Sequence, residues 1–192
     1  MITGIILASG FSQRMNTEKL LLTVEGMPVV ERVIRASTLS RLDHVILVYQ
    51  KDEIKELGKK YNIVTVCNQN ANEGQSAAIK KGIRASSPES DAFMFLVGDQ
   101  PFLDLHTINT LIDAFSKEET PIVVPVYNGR RGNPVIFSSK LKGKFLKLEG
   151  DCGGRTIINQ MEESATFVPI ESTSIGIDID TREDYERITT LA

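Results

Sequence analysis

Three charged groupings in this chain have residue types and spacing that suit phosphate chemistry. The first is the loop that follows the apolar run Ile5-Ile6-Leu7-Ala8, where Ser9 and Gly10 break the strand pattern and Arg14 and Lys19 follow. In open α/β sheets, ligands bind beyond the carboxyl ends of the strands, so two cations delivered there can neutralise a polyphosphate. The second is Val97-Gly98-Asp99-Gln100-Pro101, in which glycine lets the backbone bend and proline stops the strand just as a carboxylate appears. Magnesium takes one or two protein carboxylates and completes its shell with phosphate oxygens and water, which suits Asp99. The third is Asp178-Ile179-Asp180, whose two carboxylates fall on one side of a period-two segment and can supply a second metal ligand. Asp99 as a turn residue and Asp180 as the N-cap of a helix over 182–191 are the structural alternatives.

Common phosphate motifs do not account for the first loop. It lacks G-x-G-x-x-G spacing, and G-x-x-x-x-G-K-[ST] does not occur. Nor does the chain offer an evident nucleophile. Cys67 and Cys152 lie far apart and form no C-x-x-C, so they read as free thiols rather than as a zinc site or a disulfide. Cys152 lies in a glycine-rich loop with Arg155 nearby, but a nucleophilic role for it is not favoured. His44 and His106 have no visible catalytic partner.

The elements that must position these groups are legible as alternating patterns. Apolar, β-rich runs occur at 2–8, 44–49, 63–67, 92–97, 122–126 and 134–137. Amphipathic segments separate them near 29–37, 52–60, 75–85, 105–116, 140–146 and 155–162. Near-continuous apolar strands suit a sheet covered on both faces. The alternation predicts a mostly parallel, three-layer α/β/α sheet with right-handed crossovers. Gly26-Met27-Pro28 reads as a turn with Pro28 at the start of a helix. At 192 residues, without a linker or repeat, the chain is expected to form one domain over 1–192.

A formal charge of −3 argues against a nucleic-acid partner, which ordinarily requires a clustered basic excess. No apolar run approaches the roughly 18 residues of a membrane span, and no charged leader precedes the first strand, so a cytoplasmic protein is expected.

The first loop resembles the signature L-A-x-G-x-S-x-R-M-x-x-x-K of the nucleotidyltransferases related to the molybdenum cofactor guanylyl- and cytidylyltransferases. Leu7, Ala8, Gly10, Ser12, Arg14, Met15 and Lys19 match it. The resemblance continues in order along nearly the whole chain. Gly98-Asp99-Gln100-Pro101 is similar to the family's G-D-[MQ]-P element. Asp178 to Tyr185 is similar to [DN]-x-[DN]-T-P-E-D-[YL], with Arg182 in place of the usual proline. It implies a Rossmann-like, nucleotide-diphospho-sugar-transferase-type fold and a magnesium-dependent nucleotidyl transfer. In that reading Arg14, Lys19 and Asp99 are catalytic, and Asp99 with Asp180 holds Mg²⁺, Asp178 standing in support.

The same resemblance implies a nucleotide site at Leu7, Ala8, Ser9, Gly10, Arg14, Lys19, Asn68, Gly74, Gln75, Ser76 and Asp99. Gly129 to Phe137 and Gly150 to Arg155 look like the family's R-G-x-P and G-D-x-G-[AG]-R elements. They imply that Arg131, Asn133, Asp151 and Arg155, with Arg130 beside them, grip a phosphorylated acceptor through charge-assisted bonds. Ser9 stands where cytidylyltransferases carry alanine and guanylyltransferases carry glycine; it leaves room for a pyrimidine without settling the base, and Gly98-Asp99-Gln100-Pro101 with Gly132-Asn133-Pro134 tips the resemblance toward CTP. The implied acceptor is molybdenum-bound molybdopterin, with product passed to a molybdenum hydroxylase. A guanylyltransferase, a sugar- or polyol-phosphate nucleotidyltransferase, and a non-catalytic cofactor chaperone are the alternatives.

Overall fold

Six of the seven residues of the first strand, β1 (Ile2–Ala8), are buried, as a strand covered on both faces requires. The computed structural model describes residues 1–10, 18–172 and 174–191. After β1 come a short hairpin of β2 (Thr23–Val24) and β3 (Met27–Pro28), then α1 (Val29–Leu39), β4 (His44–Tyr49), α2 (Asp52–Lys60), β5 (Val64–Cys67) and α3 (Gln75–Ala85). The second half runs β6 (Ala92–Val97), α4 (Leu105–Lys117), β7 (Ile122–Tyr127), β8 (Arg130–Arg131), β9 (Val135–Ser138), α5 (Lys142–Leu146), α6 (Gly154–Gln160), β10 (Ala165–Ile170) and α7 (Arg182–Leu191).

Among the described residues the large sheet has the order β10-β7-β9-β6-β1-β4-β5, with β8 paired to β7. The pairs β1 with β4, β1 with β6, β4 with β5 and β10 with β7 are parallel. Strand β9 runs antiparallel between β6 and β7, so the sheet is mixed but mostly parallel, with helices on both faces. On one face Ile6, Leu47 and Leu96 bury against Val33, Ile34, Ile108 and Leu111 of α1 and α4. On the other, Ile5, Val48 and Phe95 meet Ile79 and Ile83 of α3, Phe145 of α5 and Ile157 of α6. There Phe145 lies 4.9 Å, centroid to centroid, from both Phe95 and Phe137.

The expected strands and helices all occur, with ends shifted by a residue or two. Strand β10 was not expected: its partly exposed A-T-F-V-P-I carries Pro169, which reads as a breaker but is tolerated on an edge strand. A second correction concerns the last helix. Its N-terminus is capped by Thr181, not by Asp180: the Thr181 hydroxyl accepts from Asp184 N–H at 3.1 Å, while the Asp184 carboxylate accepts from Thr181 N–H at 3.0 Å. Asp180 is thereby left to point elsewhere.

Register places the chemistry on one edge. Leu7 is paired with Val97 and Ala8 with Tyr49, and Gly98 N–H donates to the Leu7 carbonyl at 3.1 Å. Ser9, Gly10 and Asp99 therefore emerge side by side at the carboxyl ends of β1 and β6.

Candidate active site

Lys19 is where the three sequence motifs meet. Its ammonium donates to Asp99 Oδ2 at 2.6 Å and to Asp180 Oδ1 at 3.1 Å, joining residues 80 and 161 positions apart. Lys19 opens a single 3-10 turn, Lys19–Leu21, which Leu20 anchors by burial in the core. Asp99 follows β6 directly, and its own carbonyl accepts from Ile179 N–H at 3.1 Å. That bond seats the Asp178–Asp180 segment beside the β6 edge. Ile179 is fully buried with Val24, Val29 and Ile188, which holds this segment and α7 against the β2–β3 hairpin. Tyr185 adds a hydroxyl bond to the Thr23 carbonyl at 2.8 Å.

The electrostatics follow from this crowding. Burial alone would lower the Lys19 pKa, but Asp99 and Asp180 together outweigh it and raise the value, so the lysine stays charged. Asp178 is exposed at the surface, beside the nearly buried Gln100 that hydrogen-bonds it. Desolvation first, and then the negative charge of Asp99, push the Asp178 carboxyl from 3.8 up to about 6. The hydrogen bond from Gln100 opposes that rise. The Gln100 Oε1 has no partner among the described residues.

Two cavities open from this edge. The first, of about 1080 Å³, is lined by Leu7, Ser9, Gly10, Lys19, Gly74, Gln75 and Asp99 among others. The second, of about 840 Å³, is lined by Arg130, Arg131, Asn133, Asp151, Arg155 and the exposed Cys152. Leu7, Gln75, Val97 and Asp151 line both. A volume of this size accommodates a nucleotide-scale ligand.

Several expected site residues stand elsewhere. Ala8 and Ser76 are buried and line neither cavity. Asn68 is 1% exposed, and its amide donates to the Ser9 hydroxyl at 2.9 Å, so it reaches the cleft only through Ser9. Arg131 is paired with Glu162 and lies 4.8 Å over the Phe167 ring, so its guanidinium is already partly engaged. Arg14, Ser12 and Met15 fall outside the described residues. The sequence reading had not singled out Gln100 as a partner of Asp178. Its place in G-D-Q-P was the available signal, but its burial could not be read from one strand end.

The donor set fits a hard divalent cation. Asp99 and Asp180 converge on one cation already, that of Lys19, and both offer carboxylate oxygens. Among the described residues no group of three or more His, Cys, Asp or Glu side chains forms a metal cluster. Two carboxylates leave the rest of a divalent ion's shell to phosphate oxygens and water.

Residues 4–165 match the MobA-like NTP transferase domain. This chain belongs to that family. It is a nucleotidyltransferase. It is 30% identical to the purine catabolism protein PucB of Bacillus subtilis over 97% of this chain and 95% of that protein. It is 27% identical to a probable molybdenum cofactor guanylyltransferase of Thermococcus kodakarensis over 98% and 94% of the two chains. The manganese complex of Rv0371C from Mycobacterium tuberculosis shares the transferase's fold, with TM-score 0.85 at 22% identity over 100% and 99% of the chains.

Proposed function

We propose that this transferase moves CMP from CTP to the terminal phosphate of molybdenum-bound molybdopterin and releases pyrophosphate, forming the cytosine dinucleotide. The observation that carries the reading is Lys19 in contact with both Asp99 and Asp180 beside a nucleotide-sized cleft, with an arginine-lined cavity adjoining it. The acceptor phosphate oxygen attacks the α-phosphorus in line, the bond from that phosphorus to the β-phosphate bridge breaks, and pyrophosphate carries off the electron pair. A phosphate monoester is ionised near neutral pH, so the protein need not supply a strong base. What it supplies is positioning and charge neutralisation. Lys19, with Arg14, neutralises the triphosphate. Arg155, Arg131 and Asn133 orient the acceptor. Mg²⁺ held by Asp99 and Asp180 would add Lewis-acid neutralisation of the transferred phosphate.

The CTP preference rests on the Gly98-Asp99-Gln100-Pro101 and Gly132-Asn133-Pro134 motifs; Ser9, whose hydroxyl Asn68 fixes by its 2.9 Å bond, is small enough to leave room for a pyrimidine. The name of the Thermococcus kodakarensis relative is the observation that favours GTP instead. We also take residues 1–192 as one nucleotidyltransferase domain, because the sheet runs unbroken from β5 to β10. A nucleoside triphosphate substrate and two unpaired, exposed thiols support a cytoplasmic site of action, and hand-over of the product to a molybdenum hydroxylase completes the proposal.

Purified protein with Mg²⁺, molybdenum-loaded molybdopterin and each of CTP, GTP, ATP and UTP tests the proposal. Pyrophosphate and pterin dinucleotide should form with CTP above the other three. Product with GTP instead would retain the mechanism and overturn the base preference. Nucleotide binding without turnover would overturn the acceptor.

A further inference from the structure

The two cavities meet along a seam made largely of backbone. Gly74 has φ +87° and lies so close to the following loop that a Cβ on it would stand 2.5 Å from the Gly150 carbonyl group. Both facts demand glycine there. Beside it, Ser76 N–H donates to the Gly150 carbonyl at 3.2 Å, and Gln75 N–H donates to Asp151 Oδ1 at 3.2 Å. The Gln75 side chain covers Gly153, where any Cβ would overlap its amide. Gln75 and Asp151 each line both cavities.

Gly74, the residue that precedes α3, has no side chain with which to cap it. The first amides of a helix need acceptors, and here a carboxylate from a distant loop supplies one. One oxygen of Asp151 is thus committed to protein rather than turned to a substrate. Its negative charge also sits at the positive end of α3, which disfavours a phosphate group there and leaves the triphosphate to the Lys19 side of the cleft.

We propose that Asp151 is a positioning residue that clamps the 150–154 loop of the second cavity onto the 74–76 loop of the nucleotide cleft, building the two subsites as one unit. The inference rests on the transferase reading above and changes what Asp151 does within it: the residue acts through Gln75 rather than by gripping the acceptor. Because coupling between sites is reciprocal, a nucleotide that orders the 74–76 loop also orders the loop leading to Arg155 in α6.

Calorimetric titration of the whole protein with Mg-CTP and Mg-GTP, in the absence of acceptor, tests this directly. Asp151→Ala should weaken nucleotide binding by about three- to tenfold, the scale of a lost helix cap, and in parallel steady-state assays with acceptor present it should raise the acceptor KM with a smaller change in kcat. Asp151→Asn keeps an oxygen for Gln75 N–H and should recover nucleotide affinity to within about twofold. An unchanged nucleotide affinity in Asp151→Ala with a raised acceptor KM would overturn the proposal, since Asp151 would then touch only the acceptor. So would failure of Asp151→Asn to recover. If the unaltered protein bound no nucleotide at all, the transferase reading itself would fall, and the clamp with it.

Discussion

At the scale of single residues, the site is a balance of charge. Lys19 between Asp99 and Asp180 makes one part-buried ion pair, with Asp99, and one exposed ion pair, with Asp180. Lys19→Met should therefore lower turnover by about 100-fold or more, the scale of removing one preorganised charge from a transition state. Steady-state kinetics with saturating Mg²⁺ measures this, and near-normal turnover would remove Lys19 from the mechanism. Asp178 gives a prediction with a definite sign. Its carboxyl is raised from 3.8 to about 6, so the folded protein holds that proton more tightly than the unfolded chain does. Its contribution is fully favourable below about pH 4 and is lost as pH rises through about 6. In metal-free protein, Asp178→Asn should gain thermal stability over the unaltered chain between pH 4 and pH 7, with the difference level above that. A difference in melting temperature that does not change with pH would contradict the assignment.

At the scale of elements, what the sequence disclosed and what it hid have physical reasons. The strands β1, β4 and β6 were legible because they are largely buried and their apolar runs are nearly continuous. Motifs at strand ends were legible because glycine, proline and charge punctuate them. Strand β10 was not, since an edge position tolerates the proline that a single sequence reads as a stop. The role of Asn68 was hidden for another reason: a polar residue after a strand looks exposed, whereas its burial comes from packing across β1 and β5 that only the fold creates. The joining of the Gly74 and Gly150 loops, 76 positions apart, leaves no local trace either. Gly74→Ala would face both a positive φ and a backbone clash, so nucleotide affinity should fall sharply. Circular dichroism should show the helices retained, and unaltered affinity in the variant would contradict the close approach. Removing the Thr181 cap by Thr181→Ala should cost about 1 kcal/mol of stability, measured by urea unfolding, because one helix-end donor loses its acceptor. No loss would mean that the Asp184 carboxylate secures that turn alone.

At the scale of the whole molecule, the sheet acts as the rigid frame on which loops from distant parts of the chain become neighbours. The frame's second face depends on Phe95, Phe137 and Phe145, and Phe145 is fully buried against the other two. Phe145→Ala should destabilise the fold by about 3–5 kcal/mol while leaving the residual folded enzyme's KM for nucleotide close to normal. Denaturant unfolding and kinetics on the same sample would check both halves, and a large KM change at full stability would show the frame to be less rigid than described. In the proposed reaction the acceptor phosphate is the nucleophile, and the frame's part is to bring cations, carboxylates and two adjoining cavities together so that charge is held where the transfer needs it. The proposed reaction depends on a divalent metal held by Asp99 and Asp180 together. The most direct test is pyrophosphate release from CTP with acceptor present, for the unaltered protein with Mg²⁺, the same protein with excess EDTA, and Asp99→Ala with Mg²⁺. The account predicts release in the first, none above background in the second, and a loss of about 100-fold or more in the third; undiminished release with EDTA or from Asp99→Ala would contradict it.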